Sequence, residues 1–292
     1  MWQQDFLRRH QLGAEYLKVA RLWFDPLAEN LAMHHSGASR PLLLGINGCQ
    51  GSGKSTLVDY LAHCLQAEHG LRCVTLSLDD FYLTRTERER LSREVHPLFV
   101  TRGVPGTHDV SLLLDTLDRL LSASEGELFV PRFNKAEDDR HPPEQWTKIM
   151  APVDIILFEG WCLGVEAQPT AALREPVNAL ERDEDAGGIW RGHVNRALAT
   201  EFPPVYALVD RWLMLQAPSF ACVQQWRQEQ EDKLRQRLGP DHLGKSMTPE
   251  QVARFIQHYQ RLTEWSLVSL PERVDDCLVL DESRKILRRE GA

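Results

Sequence analysis

Glycines 48, 51 and 53, followed at once by Lys54 and Ser55, stand between the apolar run Pro41-Leu42-Leu43-Leu44-Gly45-Ile46 and the amphipathic stretch from Ser55 to Leu65. This is the pattern G-x-x-x-x-G-K-S in the strand-to-helix setting that it requires. The glycines let successive backbone N–H groups turn inward, and the helix opening near Lys54 adds the positive end of its dipole. The result is a cradle for phosphate. Lys54 is placed to reach the β and γ phosphates of ATP, and the hydroxyl of Ser55 to hold Mg²⁺. Gly48, Cys49, Gln50, Gly51, Ser52, Gly53, Lys54, Ser55 and Thr56 are therefore expected to bind the nucleotide. The alternative, an ordinary glycine-rich turn, is poorly matched to a complete eight-residue pattern. The loop alone does not separate a kinase from a GTPase or a motor.

A short apolar run ahead of such a loop is the signature of a strand buried on both faces of a parallel sheet. Cys73-Val74-Thr75-Leu76-Ser77-Leu78 and Val153-Asp154-Ile155-Ile156-Leu157-Phe158 repeat it. Val205 to Asp210, Trp212 to Leu215 and Cys277 to Leu280 are further strand-like segments. Strands alternating with helical stretches predict an α/β fold of the P-loop NTPase kind, a mostly parallel sheet with helices on both faces. Ligands of such sheets bind at the carboxyl ends of the strands. Residues 1–40 read as two helices, with Phe6, Leu7, Leu12, Tyr16, Leu17, Ala20 and Leu22 at helical spacing, forming an accessory packed on a kinase domain of residues 41–292. Residues 164–202 are too long and polar for an ordinary connection and read as a functional insertion. Residues 219–238 read as a charged lid helix, and 248–265 as another helix.

The bulk numbers narrow the partners. A net charge of -8 argues against broad nucleic-acid binding. No basic segment with an apolar run opens the chain, and no apolar stretch approaches the roughly 18 residues of a membrane span, so a cytoplasmic protein with a small-molecule substrate is expected. Six cysteines lie scattered without a C-x-x-C pair, which reads as free thiols rather than disulfides or zinc ligands. His96, His108 and His141 are too dispersed for a metal site. The tryptophans read as packing residues, Trp161 being left open because it follows Glu159 into the presumed cleft.

Phosphoryl transfer to a hydroxyl needs a carboxylate to orient the acceptor and take its proton, with acidic groups to position Mg²⁺. Asp79 and Asp80 end the second strand, and Glu159 ends the third, where a parallel sheet brings them beside the loop. An Asp-Asp turn that caps a helix is the plainer reading of the first pair. Ser55 and Glu159 are the expected metal residues.

The segments Gly48 to Ser55, Ser77-Leu78-Asp79-Asp80-Phe81-Tyr82, Gly103-Val104-Pro105-Gly106-Thr107-His108-Asp109, Val130-Pro131-Arg132-Phe133-Asn134-Lys135 and Phe158-Glu159-Gly160-Trp161 together resemble the D-glycerate 3-kinase family of P-loop kinases. That family is similar to uridine kinases, phosphoribulokinases and bacterial pantothenate kinases. The resemblance continues through Pro176 to Glu181, Trp190-Arg191, Asn195, Gln225-Trp226-Arg227, Met247-Thr248, Phe255 and Tyr259, and covers most of residues 40–285. It implies that Asp79 acts as base and that Asp80, Tyr82, Asp109, Arg132 and Lys135 surround the substrate. Asp109 would hold substrate hydroxyls, although it equally suits the cap of a helix starting at Val110. Arg132 and Lys135 offer cations to an acidic substrate, or are surface residues of a loop. On the lid helix, Arg227, Lys233, Arg235 and Arg237 either stabilise the moving phosphoryl group or pair with Glu229, Glu231 and Asp232 along the helix; Arg227 is the choice by family position.

Asn134-Lys135-Ala136-Glu137 comes close to the guanine-reading Asn-Lys-x-Asp of GTPases, which makes a GTPase switch or metallochaperone the rival. Its fourth residue is Glu, and it precedes the Phe158-Glu159 strand instead of following it. The expected function is an ATP- and Mg²⁺-dependent kinase with catalytic residues Lys54, Asp79, Glu159 and Arg227. By resemblance the leading acceptor is D-glycerate, giving 3-phosphoglycerate, with a nucleoside, pantothenate or another sugar acid as runner-up. Cys49, if exposed inside the loop, would make ATP binding sensitive to oxidation.

Overall fold

The computed structural model describes residues 2–238 and 247–291. Its strands are β1 (Leu42–Gly48), β2 (Cys73–Ser77), β3 (Gly126–Val130), β4 (Phe133–Asn134), β5 (Asp139–Arg140), β6 (Thr147–Ala151), β7 (Ile155–Gly160), β8 (Arg211–Gln216), β9 (Asp276–Leu280) and β10 (Ile286–Glu290). Six of them form one sheet in the order β10-β9-β8-β1-β7-β2. Strands β2, β7, β1, β8 and β9 run parallel, and β10 is antiparallel to β9. Every residue of β1 is buried, as a central strand covered on both faces requires. Ser77 of β2 and Ile46 of β1 both pair with Glu159 of β7, so the carboxyl ends of these three strands finish level. The pairs β3–β6 and β4–β5 are separate antiparallel ribbons.

The helices are α1 (Trp2–His10), α2 (Tyr16–Trp23), α3 (Asp25–Ser36), α4 (Lys54–His69), α5 (Arg85–Glu94), α6 (Val110–Ser122), α7 (Ala179–Glu184), α8 (Ile189–Thr200), α9 (Pro203–Tyr206), α10 (Phe220–Leu238) and α11 (Pro249–Ser269). None is long and apolar enough to cross a membrane among the described residues.

Two expectations are corrected. Residues 205–210 are not a strand: Pro203 and Pro204 open the short helix α9, because proline suits the first turn of a helix, and the chain then turns into β8. Val205 is nonetheless fully buried, so its apolar character reported burial correctly and conformation wrongly. The N-terminal segment is three helices, not two. Pro26 at the start of α3 cannot continue α2, since it lacks the N–H that an interior turn would use. Leu22, counted on the buried stripe, is 64% exposed.

These helices share the core of the sheet. Tyr60 of α4 is fully buried against Trp2, Phe6 and Phe24, with ring centroids 5.1, 5.3 and 5.6 Å away, and its hydroxyl donates to Asp25 at 2.7 Å. Burial of one such ring contributes about 2–3 kcal/mol. The polar stretch 164–202 also has an internal use. Glu181 on α7 takes Arg261 of α11 at 2.6 Å, and Asp185 takes Arg191 of α8 at 2.9 Å, all four buried. Removing one member of such a pair costs about 3–5 kcal/mol, so Glu181 fastens the insertion to α11 while Asp185 and Arg191 brace it internally.

Candidate active site

The phosphate loop leaves β1 and enters α4 through Gly53, which has φ +98° and open space where a side chain would be. Its other side is packed. Gly51, at φ +76°, lies so close to α10 that an added Cβ would stand 2.7 Å from the Cβ of Trp226. Only glycine satisfies both the backbone angle and that approach. Arg284 Nε donates to the Gly51 carbonyl at 2.8 Å, while its guanidinium lies over the Trp226 ring, 5.0 Å from the centroid. Lys54 Nζ donates to the Cys49 carbonyl at 3.1 Å and stands 3.9 Å from Glu159. Cys49 itself is buried and burial pushes its thiol up to about 12, so the condition for an oxidation-sensitive loop is not met.

Level strand ends bring the acids to this loop. Glu159 accepts from Ser77 Oγ at 2.9 Å, and burial raises its carboxyl above the usual range against the opposing charge of Lys54. The chain after β2 tightens into a turn, Leu78–Phe81, capped by Ser77 Oγ, which accepts from the Asp79 amide at 3.3 Å. That turn points Asp79 and Asp80 apart. Asp79 accepts from Tyr82 Oη at 2.7 Å on one oxygen and from Lys135 Nζ at 2.7 Å on the other. Burial works against its ionisation, but Lys135 and Tyr82 prevail and hold it at about 2. Asp80 faces away, accepting from Arg132 at 2.9 Å and the Phe133 amide at 3.1 Å. Arg132, which also donates to Thr147, lies with Asp80 on a neighbouring groove that meets the main cleft only at Ser55 and Glu159.

The main cleft has a volume of about 440 Å³ and is lined by the loop, Asp79, Tyr82, Lys135 and Glu159 together with Arg102, Trp161, Arg227, Phe255 and Tyr259. Asp109 is not among its walls. One of its oxygens caps α6 at the Leu112 amide, 3.0 Å, and the other takes Arg140 at 3.0 Å, so the capping alternative describes its contacts. His108 is a buried, uncharged ring tilted against Tyr82, held down at about 4 by burial.

Arg102 and Gln230 are cleft residues that the sequence did not single out, and Arg102 is the charged one. It pairs with Asp138 and lies over Phe133, 5.3 Å from the ring centroid. Its carbonyl accepts from Tyr259 Oη at 3.2 Å, and that of Gly103 from Trp161 Nε1 at 2.9 Å. Gly103 has φ +138°, and a Cβ there would stand 2.3 Å from Tyr259 Oη. The signal available was position alone, directly ahead of the Gly103 to Asp109 motif. From α10, Arg227 enters the cleft braced by buried Glu231 at 2.8 Å and by the face of Phe255. Lys233 is exposed, Arg235 donates to the Met247 carbonyl, and the side chain of Arg237 lies outside the described residues.

Asn134 and Lys135 do not read a base. The Asn134 side chain closes its own turn by accepting from Ala136 and Glu137, and Lys135 turns to Asp79. No cluster of three or more His, Cys, Asp or Glu residues that could hold a metal occurs among the described residues.

No protein-family model matches the chain. It is similar to the uncharacterized kinase mug58 of Schizosaccharomyces pombe, 33% identical over 273 residues that cover 89% of this chain and 95% of that protein. It is similar to the chloroplastic D-glycerate 3-kinase of Arabidopsis thaliana, 30% identical over 245 residues, covering 79% of this chain and half (50%) of that longer protein. Among solved structures, the D-glycerate 3-kinase from Cryptococcus neoformans var. grubii serotype A matches with a TM-score of 0.75 at 25% identity, covering 94% of this chain and 99% of that one.

Proposed function

This chain belongs to the D-glycerate 3-kinase family of ATP-dependent P-loop kinases, and on that premise we propose that its acceptor is D-glycerate, phosphorylated to 3-phosphoglycerate. The observation that carries the acceptor is the pair of cations, Arg102 and Lys135, on the cleft beside Asp79. Each already holds a carboxylate of the protein, Asp138 and Asp79 respectively. An acceptor that brings its own carboxylate can take the place of either one. A neutral nucleoside has no group to do so.

In this reading the N–H groups of residues 48–55 hold the ATP phosphates with the terminal one toward Asp79. Asp79 orients the acceptor hydroxyl and receives its proton as the oxygen bonds to the γ phosphorus, while the bond from that phosphorus to the β–γ bridging oxygen breaks and ADP leaves. Lys54 and Arg227 face the charge that spreads over the phosphoryl oxygens during transfer. As the acceptor carboxylate engages Lys135, the cation leaves Asp79 and the carboxyl becomes a stronger base when it is needed. The hard oxygens of Ser55 and Glu159 suit Mg²⁺, which takes one or two carboxylates and fills its remaining positions with phosphate and water. Bound there, the ion would neutralise charge on the phosphates.

The test is ATP consumption with D-glycerate, related hydroxy acids, glycerol, nucleosides and pantothenate, with the product located by ³¹P NMR. Turnover confined to hydroxy acids and phosphorylation at C3 is expected. Preference for a nucleoside or pantothenate would overturn the acceptor while leaving the kinase.

A further inference from the structure

We propose that one water molecule is built into the fold between α8, α11 and the chain at Gln168, donating to His258 Nε2 and Gln168 Oε1 and accepting from Trp190 Nε1. These three residues line one small cavity beside the insertion, and none of them borders the acceptor cleft. Trp190 and His258 are 2% and 4% exposed, and the named atom of each of the three residues is buried with no hydrogen-bond partner among the described residues. The Trp190 and His258 rings meet edge to face with centroids 5.8 Å apart. Buried polar groups that lack a partner are costly, and native folds rarely leave three of them facing one space.

The chemistry of the three atoms selects the occupant. An indole N–H only donates, and an amide oxygen only accepts. His258 Nδ1 stands 3.0 Å from the Phe255 carbonyl, which can only accept, so the proton of the neutral ring sits on Nδ1 and Nε2 offers a lone pair. Burial favours that neutral ring by lowering its pKa. The set is therefore one donor and two acceptors. A metal ion or an ammonium group would meet the indole hydrogen, and an anion would meet two lone pairs. Water has two hydrogens to give and a lone pair with which to receive. The charges on the same wall are already engaged, Glu181 with Arg261 and Arg191 with Asp185, so they call for no ion. At about 10 Å³ the cavity is at the size a single water needs, which excludes an organic ligand.

The site gives a use to residues that the chemistry of the cleft leaves aside. Asn195 holds the Gln168 backbone twice, accepting from its N–H at 2.7 Å and donating to its carbonyl at 3.0 Å, and so sets where Gln168 stands. His258 directly precedes Tyr259, whose hydroxyl holds the Arg102 carbonyl. The water thus joins the insertion to the turn of α11 that supports the cleft.

A high-resolution crystal structure of the full chain should show one solvent peak within about 2.7–3.2 Å of all three atoms. Trp190→Phe and Gln168→Met each remove one partner and keep much of the side-chain volume. Each should lower the urea midpoint, and the double variant should lower it by about three-quarters of the summed shifts or less, because both act through the same water. Two unrelated packing defects would add in full. A cavity without that peak, a metal or anion in its place, an unmoved midpoint in either variant, or additive shifts would overturn the water site. Should a variant fail to fold, the wild-type crystal structure decides alone. Neither measurement involves the acceptor.

Discussion

Lys135 Nζ lies 2.7 Å from Asp79 Oδ2, across a separation of 56 residues, while the same carboxylate accepts from Tyr82 on its other oxygen. Asp79 is thus ionised but occupied, and in the proposed reaction Lys135 must yield to the acceptor before Asp79 can act as base. The consequences can be measured.

Asp79→Asn should lower kcat by about 10² or more with the circular dichroism spectrum preserved. It should also flatten the acid end of the stability profile. The folded Asp79 is depressed to about 2 from an ordinary 3.8, so its contribution is present above the unfolded value and is lost as pH falls from 3.8 through about 2. Urea midpoints of wild type and variant are therefore expected to converge across that window.

Lys135→Met removes the cation and should raise KM for D-glycerate about tenfold or more, with ATP affinity within about twofold. Losing a positive neighbour raises the pKa of Asp79, and a base is inactive below its pKa. The acid limb of kcat/KM should accordingly move to higher pH; an unmoved limb together with an unchanged KM would return Lys135 to the surface-loop reading.

Glu159→Gln keeps the shape of the side chain and the contact with Ser77 while removing a charge. Turnover should then need about tenfold more Mg²⁺ for half-saturation, and chelation should silence the wild-type enzyme altogether. Titration of activity against free Mg²⁺ checks both.

Gly103→Ala forces a Cβ onto Tyr259 Oη at a backbone angle that alanine avoids. A loss of about 1–3 kcal/mol in stability is expected. Because the carbonyls of residues 102 and 103 hang from Tyr259 and Trp161, the displaced Arg102 should raise the acceptor KM as well.

Mild peroxide should leave ATP affinity and the mass of the Cys49 peptide unchanged, since the thiol is buried and raised to about 12. Oxidation at Cys49 ahead of partly exposed Cys73 would contradict its burial.

How much of this was legible depended on how local each feature is. The phosphate loop needs only contiguous residues: glycines for positive φ, lysine and serine next in line, a strand before and a helix after. The positions of Asp79 and Glu159 followed from where apolar runs end, because parallel strands that finish level carry their next residues to one edge. Errors came where local chemistry was ambiguous. The run Val205 to Asp210 is apolar enough for a strand, yet two prolines ahead of it begin a helix. Pro26 divided what one periodic stripe joined.

The sequence by itself determined the α/β sheet, the loop that holds phosphate and the acids at the strand ends, because short-range sterics and short continuous apolar runs decide those things. Only the tertiary structure decided which charges face the cleft. Asp109 gives one oxygen to its own helix and the other to Arg140, Arg132 turns with Asp80 to a neighbouring groove, and Arg102 comes forward on a glycine pressed against Tyr259. Those pairings join residues tens of positions apart, and a charge chooses its partner by the packing and burial around it, which no local pattern contains.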